Sequence, residues 1–118
     1  SRYVQFSIRK NLATQYKLVV YVPFSHADQV REAIGNADGG KLGKYSFCSF
    51  SSRGTGRFRP EEGAHPFIGK VGELESVQEE RIEVTINADV VGNVIAAMKK
   101  VHPYEEVAYD LYPLEVWE

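Results

Sequence analysis

From Tyr16 to Val22 the chain is an almost unbroken apolar run, rich in β-branched and aromatic residues and closed by Pro23. That pattern predicts a central strand covered on both faces. After Ser25 the period changes. Ala27, Val30, Ile34 and Ala37 recur at spacings of three, four and three, the single apolar stripe of an amphipathic helix. Ser25 and Asp28 stand in a capping-box relation at its start. Gly39-Gly40 closes it, where a residue of positive φ is wanted. Lys44 to Ser52 alternates aromatic and small residues and predicts a second strand. Its continuation, Arg53-Gly54-Thr55-Gly56-Arg57-Phe58-Arg59-Pro60, reads as a bend or bulge in a long ribbon. Glu61 to Gly72 holds Pro66 and three glycines and is loop-like. A strand returns over Val77 to Ile86, with Ile82, Val84 and Ile86 on one face and Arg81, Glu83 and Thr85 on the other. Asn87 or Asp89 caps a second helix with the stripe Val91, Val94, Ile95, Met98 and Val101. His102-Pro103 stops it, and Val107, Tyr109 and Leu111 alternate as a last strand.

The order strand, helix, strand, strand, helix, strand is a twofold βαβ pattern. Right-handed crossovers place both helices on one face of an antiparallel sheet, giving an α+β, ferredoxin-like βαββαβ sandwich. Residues 16–118 form this domain, and residues 1–15 are an N-terminal arm or extra strand in which Val4, Phe6 and Ile8 alternate with polar residues. The sheet's second face carries no helix, yet Val19 and Tyr21 fall on it, opposite Leu18 and Val20. An apolar face left open implies a partner. Homo-oligomerisation through that face is the expectation, with the N-terminal arm folding over it as the rival.

Composition narrows the setting. A chain of 118 residues with a formal charge of −2 lacks the net basic surface of a dedicated nucleic-acid binder. No apolar stretch approaches the roughly 20 residues that cross a bilayer. Cys48 is the single cysteine, which excludes a disulfide framework or a thiolate zinc site within one chain and suits a reducing, cytoplasmic compartment. It reads as a packing residue in a strand rather than a reactive thiol, having no base beside it. The basic, acid-free first 15 residues offer an alternative, the remnant of a mitochondrial or other organellar targeting segment.

Two places carry candidate chemistry. The run His102-Pro103-Tyr104-Glu105-Glu106 puts one imidazole and two carboxylates within five residues. Such groups can chelate a divalent metal or serve as an acid–base pair. In an extended segment, however, Glu105 and Glu106 point to opposite faces. The other reading is structural: His102 closes the helix, its positive form meeting the helix dipole, Pro103 breaks it, and Tyr104 packs onto the core. The second place is the glycine-containing ribbon. Between Asp38 and Glu61 stand Lys41, Lys44, Arg53, Arg57 and Arg59 with no acid, a set suited to phosphate or carboxylate. Its plainer reading is a solvated ribbon whose charges pair across an oligomer with the seven acids between residues 61 and 86. His26, His65 and Asp110 read as ordinary surface residues, and no nucleophile elbow, HExxH helix or dinucleotide fingerprint occurs.

Three segments taken together resemble a known family. They are Gly43-Lys44-Tyr45-Ser46-Phe47-Cys48-Ser49-Phe50 with Gly54-Thr55-Gly56-Arg57-Phe58-Arg59-Pro60; Pro66-Phe67-Ile68-Gly69-Lys70-Val71-Gly72-Glu73-Leu74-Glu75 with Glu80-Arg81-Ile82-Glu83; and His102-Pro103-Tyr104-Glu105-Glu106-Val107-Ala108-Tyr109-Asp110. In this order, over roughly residues 16 to 114, the set resembles the CutA-like domain inserted in bacterial members of the Nif-three-like family (the type-two GTP cyclohydrolase homologues), here in stand-alone form. The resemblance implies a fold related to the CutA and PII proteins and assembly as a homotrimer. It carries over no catalytic or metal activity, because the parent proteins hold paired metal ions in a separate domain, on histidine-rich segments and acids that this chain lacks. Val107 stands where the family often has proline.

These readings lead to a non-catalytic, oligomer-forming module for small-ligand binding or regulation. By fold-level analogy its ligand is a small anion or a nucleotide. Arg57, Arg59, His102, Tyr104, Glu105 and Glu106 are the expected ligand-binding residues. No cofactor is required, and a divalent metal is possible. Two alternatives stand beside it: a metal-assisted hydrolase with an inter-subunit site around His102, and a protein-binding scaffold. The hydrolase needs three protein ligands and an open position on its metal.

Overall fold

The apolar run after Tyr16 becomes β1 (Gln15–Pro23), one of the two inner strands of a sheet, in a computed structural model that describes residues 13–117. Its neighbours are β3 (Glu75–Asn87) and β4 (Tyr109–Leu114), and β2 (Phe50–Phe58) closes the far edge, in the order β2-β3-β1-β4 with antiparallel pairing throughout. Two helices, α1 (Ala27–Asn36) and α2 (Val91–Val101), pack on each other and on one face of the sheet. This is the ferredoxin-like α+β sandwich that the periodicity predicts. Leu18, Val20 and Val22 of β1 meet Ile82, Val84 and Ile86 of β3 beneath Val30, Ile34, Val94 and Met98 of the helices, all buried. Burying each such side chain stabilises the fold by roughly 1.5–3 kcal/mol, so this layer holds the sandwich together. Among the described residues, no helix is long and apolar enough to cross a membrane.

The second strand differs from expectation. It begins at Phe50, not Lys44, and runs to Phe58 against β3 without a break in register, from Phe50↔Glu83 to Phe58↔Glu75. Continued backwards, that register sets Cys48 opposite Thr85, but the Gly40 N–H already donates to the Thr85 carbonyl at 2.9 Å. The position is taken, so residues 41–49 leave the sheet. Leu42 and Tyr45 exchange backbone hydrogen bonds at 2.9 Å across a tight turn, and Phe47 adopts φ 58°, a left-handed conformation that no strand accommodates. Cys48 is therefore a half-buried loop residue, not a strand residue. Nor is there a bulge at Gly54 and Gly56, whose purpose becomes visible at the site.

The helix starts also differ. A 3₁₀ turn, Phe24–His26, precedes α1, and neither it nor α1 has a side-chain cap. Ser25 Oγ instead meets His26 Nδ1 at 2.7 Å, and the Asp28 carboxylate pairs with Arg31. Arg31 also donates to Glu80 of β3 at 2.6 Å, tying α1 to the sheet. Likewise Ala88–Val90 forms a 3₁₀ turn before α2 without a cap from Asn87, whose Oδ1 accepts from Gln15. At the far end of α1 the left-handed residue is Asp38 (φ 74°), ahead of the glycines, with Asp38 N–H bonded to the Gly35 carbonyl and Gly39 N–H to that of Ile34. That is a Schellman closure, in which an aspartate supplies the left-handed turn.

On the helix-free face lie Val19, Tyr21, Glu79, Arg81 and Glu83, together with Asp110 of β4. Val19 is fully buried and Tyr21 half-buried, with the Arg81 guanidinium 5.9 Å from the Tyr21 ring centroid. The extra strand expected around Val4, Phe6 and Ile8 lies outside the described residues.

Candidate functional site

The corner after α2 is built by proline. A residue ahead of proline is driven out of helical conformation, and His102 takes φ −70°, ψ 134° while its N–H still donates to the Met98 carbonyl at 3.0 Å. The imidazole then folds inward and is 7 % exposed. Its Nε2 lies 2.8 Å from the Tyr21 carbonyl oxygen, and its Nδ1 lies 3.2 Å from the Tyr104 backbone N–H. A carbonyl only accepts and an amide N–H only donates, so Nε2 carries the proton and Nδ1 is bare. Burial lowers the pKa of this ring below its ordinary 6.5, against the opposing influence of the Tyr21 bond and the Glu79 charge. The expectation of a positive His102 at the helix dipole is thereby overturned: the ring is neutral. Both nitrogens are committed to backbone, so His102 has neither a lone pair for a metal nor a mobile proton. Among the described residues, no group of three His, Cys, Asp or Glu side chains converges as a metal cage. The described residues of this corner therefore offer a divalent ion no such set.

What His102 does is hold Tyr104. The two rings lie 5.1 Å apart, and the Tyr104 ring also meets Phe58 at 6.0 Å and Phe67 at 6.5 Å. Its hydroxyl donates to Glu79 Oε2 at 2.8 Å. Burial first, then the hydrogen bond and charge of Glu79, push the phenol well above its ordinary pKa of 10. Tyr104 therefore stays a protonated donor at any physiological pH.

Glu79, a buried carboxylate at 8 % exposure, was missed by sequence reasoning, although a signal existed. Gly54 pairs with Glu79, and Gly56 sits two residues along on the same face of the neighbouring strand. A strand with glycine at alternate positions presents one bare face. A Cβ on Gly56 would lie 1.9 Å from Glu79 Oε1, so the glutamate side chain occupies the room that this glycine vacates.

Around this pair opens a cavity of about 620 Å³. Gly54 and Gly56 form its floor, Phe58, Pro66, Phe67 and Ile68 supply apolar walls, and Tyr104 to Glu106 close one side. Five of the six expected site residues, Arg57, Arg59, Tyr104, Glu105 and Glu106, line it, while His102 stands behind Tyr104. Glu105 and Glu106 both line the cavity, and residues 105–106 form a bend rather than the extended segment that alternation assumes. Glu105 Oε1 accepts from the His65 N–H at 3.0 Å, latching the 60–72 loop to the corner. Arg59 Nε donates to Glu61 at 3.1 Å. His26 packs edge-on against Phe67 at 5.4 Å, and Asp110 is exposed.

Two helices on one face of an antiparallel four-stranded sheet define a CutA-like α+β domain. The chain superposes on the periplasmic divalent cation tolerance protein CutA of Archaeoglobus fulgidus with a TM-score of 0.65, over 88 % of this chain and 87 % of that one, at 14 % identity, a likeness of fold alone. In sequence it is a homologue of one segment of the proteins named GTP cyclohydrolase 1 type 2 homolog, the Nif-three-like proteins. It is 61 % identical over 99 residues to the one from Halalkalibacterium halodurans, covering 84 % of this chain and 27 % of that protein. A solved Bacillus cereus protein related to NIF3 matches with a TM-score of 0.77 and 51 % identity, over 88 % of this chain and 26 % of that one. The chain thus spans about a quarter of the length of the curated relatives it matches. No protein-family model matches it.

Proposed function

We propose that this chain is a non-catalytic ligand-binding or regulatory module, which takes a small molecule into the cavity beside Tyr104 and self-associates through the remainder of the helix-free sheet face, on which that cavity opens. The cavity carries the reading. Its volume lies in the range of small-molecule sites, roughly 300–1,000 Å³, which are typically apolar with a few convergent polar groups. The exposed Arg57 and Arg59 at its rim suit an anionic substituent of the ligand, a carboxylate or a phosphate such as a nucleotide carries. Against the hydrolase alternative stand the committed imidazole of His102 and the protonated phenol of Tyr104, which leave only carboxylates to act as a base at the corner. A cytoplasmic setting suits the single thiol of Cys48.

Gly54 offers the test. A Cβ there meets nothing within 4 Å, so Gly54→Phe fills the cavity from its floor without disturbing the backbone. The expected result is a melting temperature changed by only a few degrees, and loss of the stabilisation that a panel of nucleotides and dicarboxylates confers on the parent chain. A panel that acts equally on both proteins, or on neither, sinks the cavity as the binding site. Self-association is checked by light scattering, where the expected species is a trimer and a monomer overturns that half of the proposal.

A further inference from the structure

We infer that the cavity selects a ligand with a flat cationic nitrogen group, an amidine, guanidine or protonated amino-heterocycle, seated on the carboxylate of Glu79. This rests on the ligand-binding reading above and adds the chemistry of the ligand's inner end. Glu79 lines the cavity at 8 % exposure. Its Oε2 accepts from the Tyr104 hydroxyl, and among the described residues nothing donates to Oε1 and no cationic side chain pairs with the group. Nor is any fully buried side-chain oxygen left without a partner, so the free Oε1 opens on the cavity.

A carboxylate withdrawn this far from water is costly unless paired, and one phenol hydroxyl fills only one of its roughly four acceptor positions. Three of the four arginines that line the cavity have partners elsewhere, and the fourth, Arg57, is exposed and makes no ion pair with Glu79. Arg81 faces Glu83 at 3.7 Å and lies against Tyr21, Arg59 bonds Glu61, and the Arg53 guanidinium lies 4.5 Å from the Phe24 ring centroid. Among the described residues none supplies the counter-charge, and on this inference the ligand does. Planarity follows from the surroundings. The carboxylate lies against the bare backbone of Gly56, and the rings of Tyr104, Phe58 and Phe67 stand together beside it. A flat cation gains from such ring faces as well as from the two-pronged fit of an amidine to a carboxylate.

The experiment titrates the isotope-labelled chain with benzamidine and with benzoate, probes of the same shape and opposite charge, followed by amide chemical shifts. Benzamidine is expected to move the amides of Gly54, Gly56, Glu79 and Tyr104 and to bind at least tenfold more tightly than benzoate. Glu79→Gln keeps an acceptor for the Tyr104 hydroxyl and is expected to weaken benzamidine tenfold or more. Benzoate binding there as tightly as benzamidine overturns the cationic inference and leaves the ligand-binding cavity standing. If neither probe moves those amides, both fall. If Glu79→Gln instead breaks up an assembly that the parent chain forms, the occupant is a basic side chain of a second copy, and the small-ligand inference is overturned. Should that variant fail to fold, the contrast between the two probes on the unaltered chain decides alone.

Discussion

His102→Ala is expected to destabilise the fold by about 3 kcal/mol, seen as a fall of roughly 10 °C in melting temperature. The loss has two parts. The Tyr21 carbonyl and the Tyr104 N–H both lose their partner, and leaving a buried polar group unpaired costs about 1–3 kcal/mol. The imidazole also leaves a void behind the Tyr104 ring. The pH dependence distinguishes this from simple loss of packing. The folded ring has a pKa below 6.5, whereas the unfolded ring titrates near about 6.5. Below that pH the unfolded chain takes up a proton that the folded chain refuses. The contribution is therefore fully present above pH 6.5 or so and is lost as pH falls towards the folded value. Urea midpoints measured across this window are expected to decline for the parent chain, with that component absent from the alanine variant. An unchanged midpoint and an unchanged acid limb would defeat the structural reading of the corner.

Gly40→Ala is expected to be as damaging, at about 3 kcal/mol, for a different reason. Gly40 has φ 79°, and a Cβ there would lie 2.4 Å from the Cys48 carbonyl oxygen and 2.8 Å from its amide nitrogen. These are backbone atoms and cannot swing aside. Relief requires the 41–49 loop to lift, breaking the Gly40–Thr85 and Cys48–Gly40 hydrogen bonds. Gly43→Ala is the control: its φ is 56°, but nothing lies within 4 Å of a Cβ, so only the left-handed strain of about 1 kcal/mol remains. Chemical denaturation of both variants checks the contrast, and equal losses would show that the loop is not pinned at Gly40.

How much was legible is best judged from particular residues. The stripes Val30–Ile34 and Val94–Met98 and the alternation Ile82–Val84–Ile86 are local records of burial, and each led to the right element and the right face. The glycines of β2 were legible as unusual but not in meaning. Without the pairing Gly54↔Glu79, nothing showed that they make room for a carboxylate rather than kink the strand. The corner was read as polar chemistry or as structure, and the decision lay in two backbone groups, those of Tyr21 and Tyr104, that no side-chain pattern reports. Lys44–Ser49 failed as a strand because Gly40 competes for Thr85, a contest invisible in the alternation of the segment itself.

The run His102-Pro103-Tyr104-Glu105-Glu106 shows the division most clearly. By itself the sequence determined the order of elements, the helix-bearing face of the sheet and the break at Pro103. Those depend on side-chain periodicity and on proline's own geometry, which act within a few residues. Only the tertiary structure decided that His102 is a neutral brace, that Tyr104 reaches back 25 residues to Glu79, and that both glutamates after it line one cavity. Those outcomes depend on strand register and on which buried groups remain to be paired, and such terms arise only when distant segments meet.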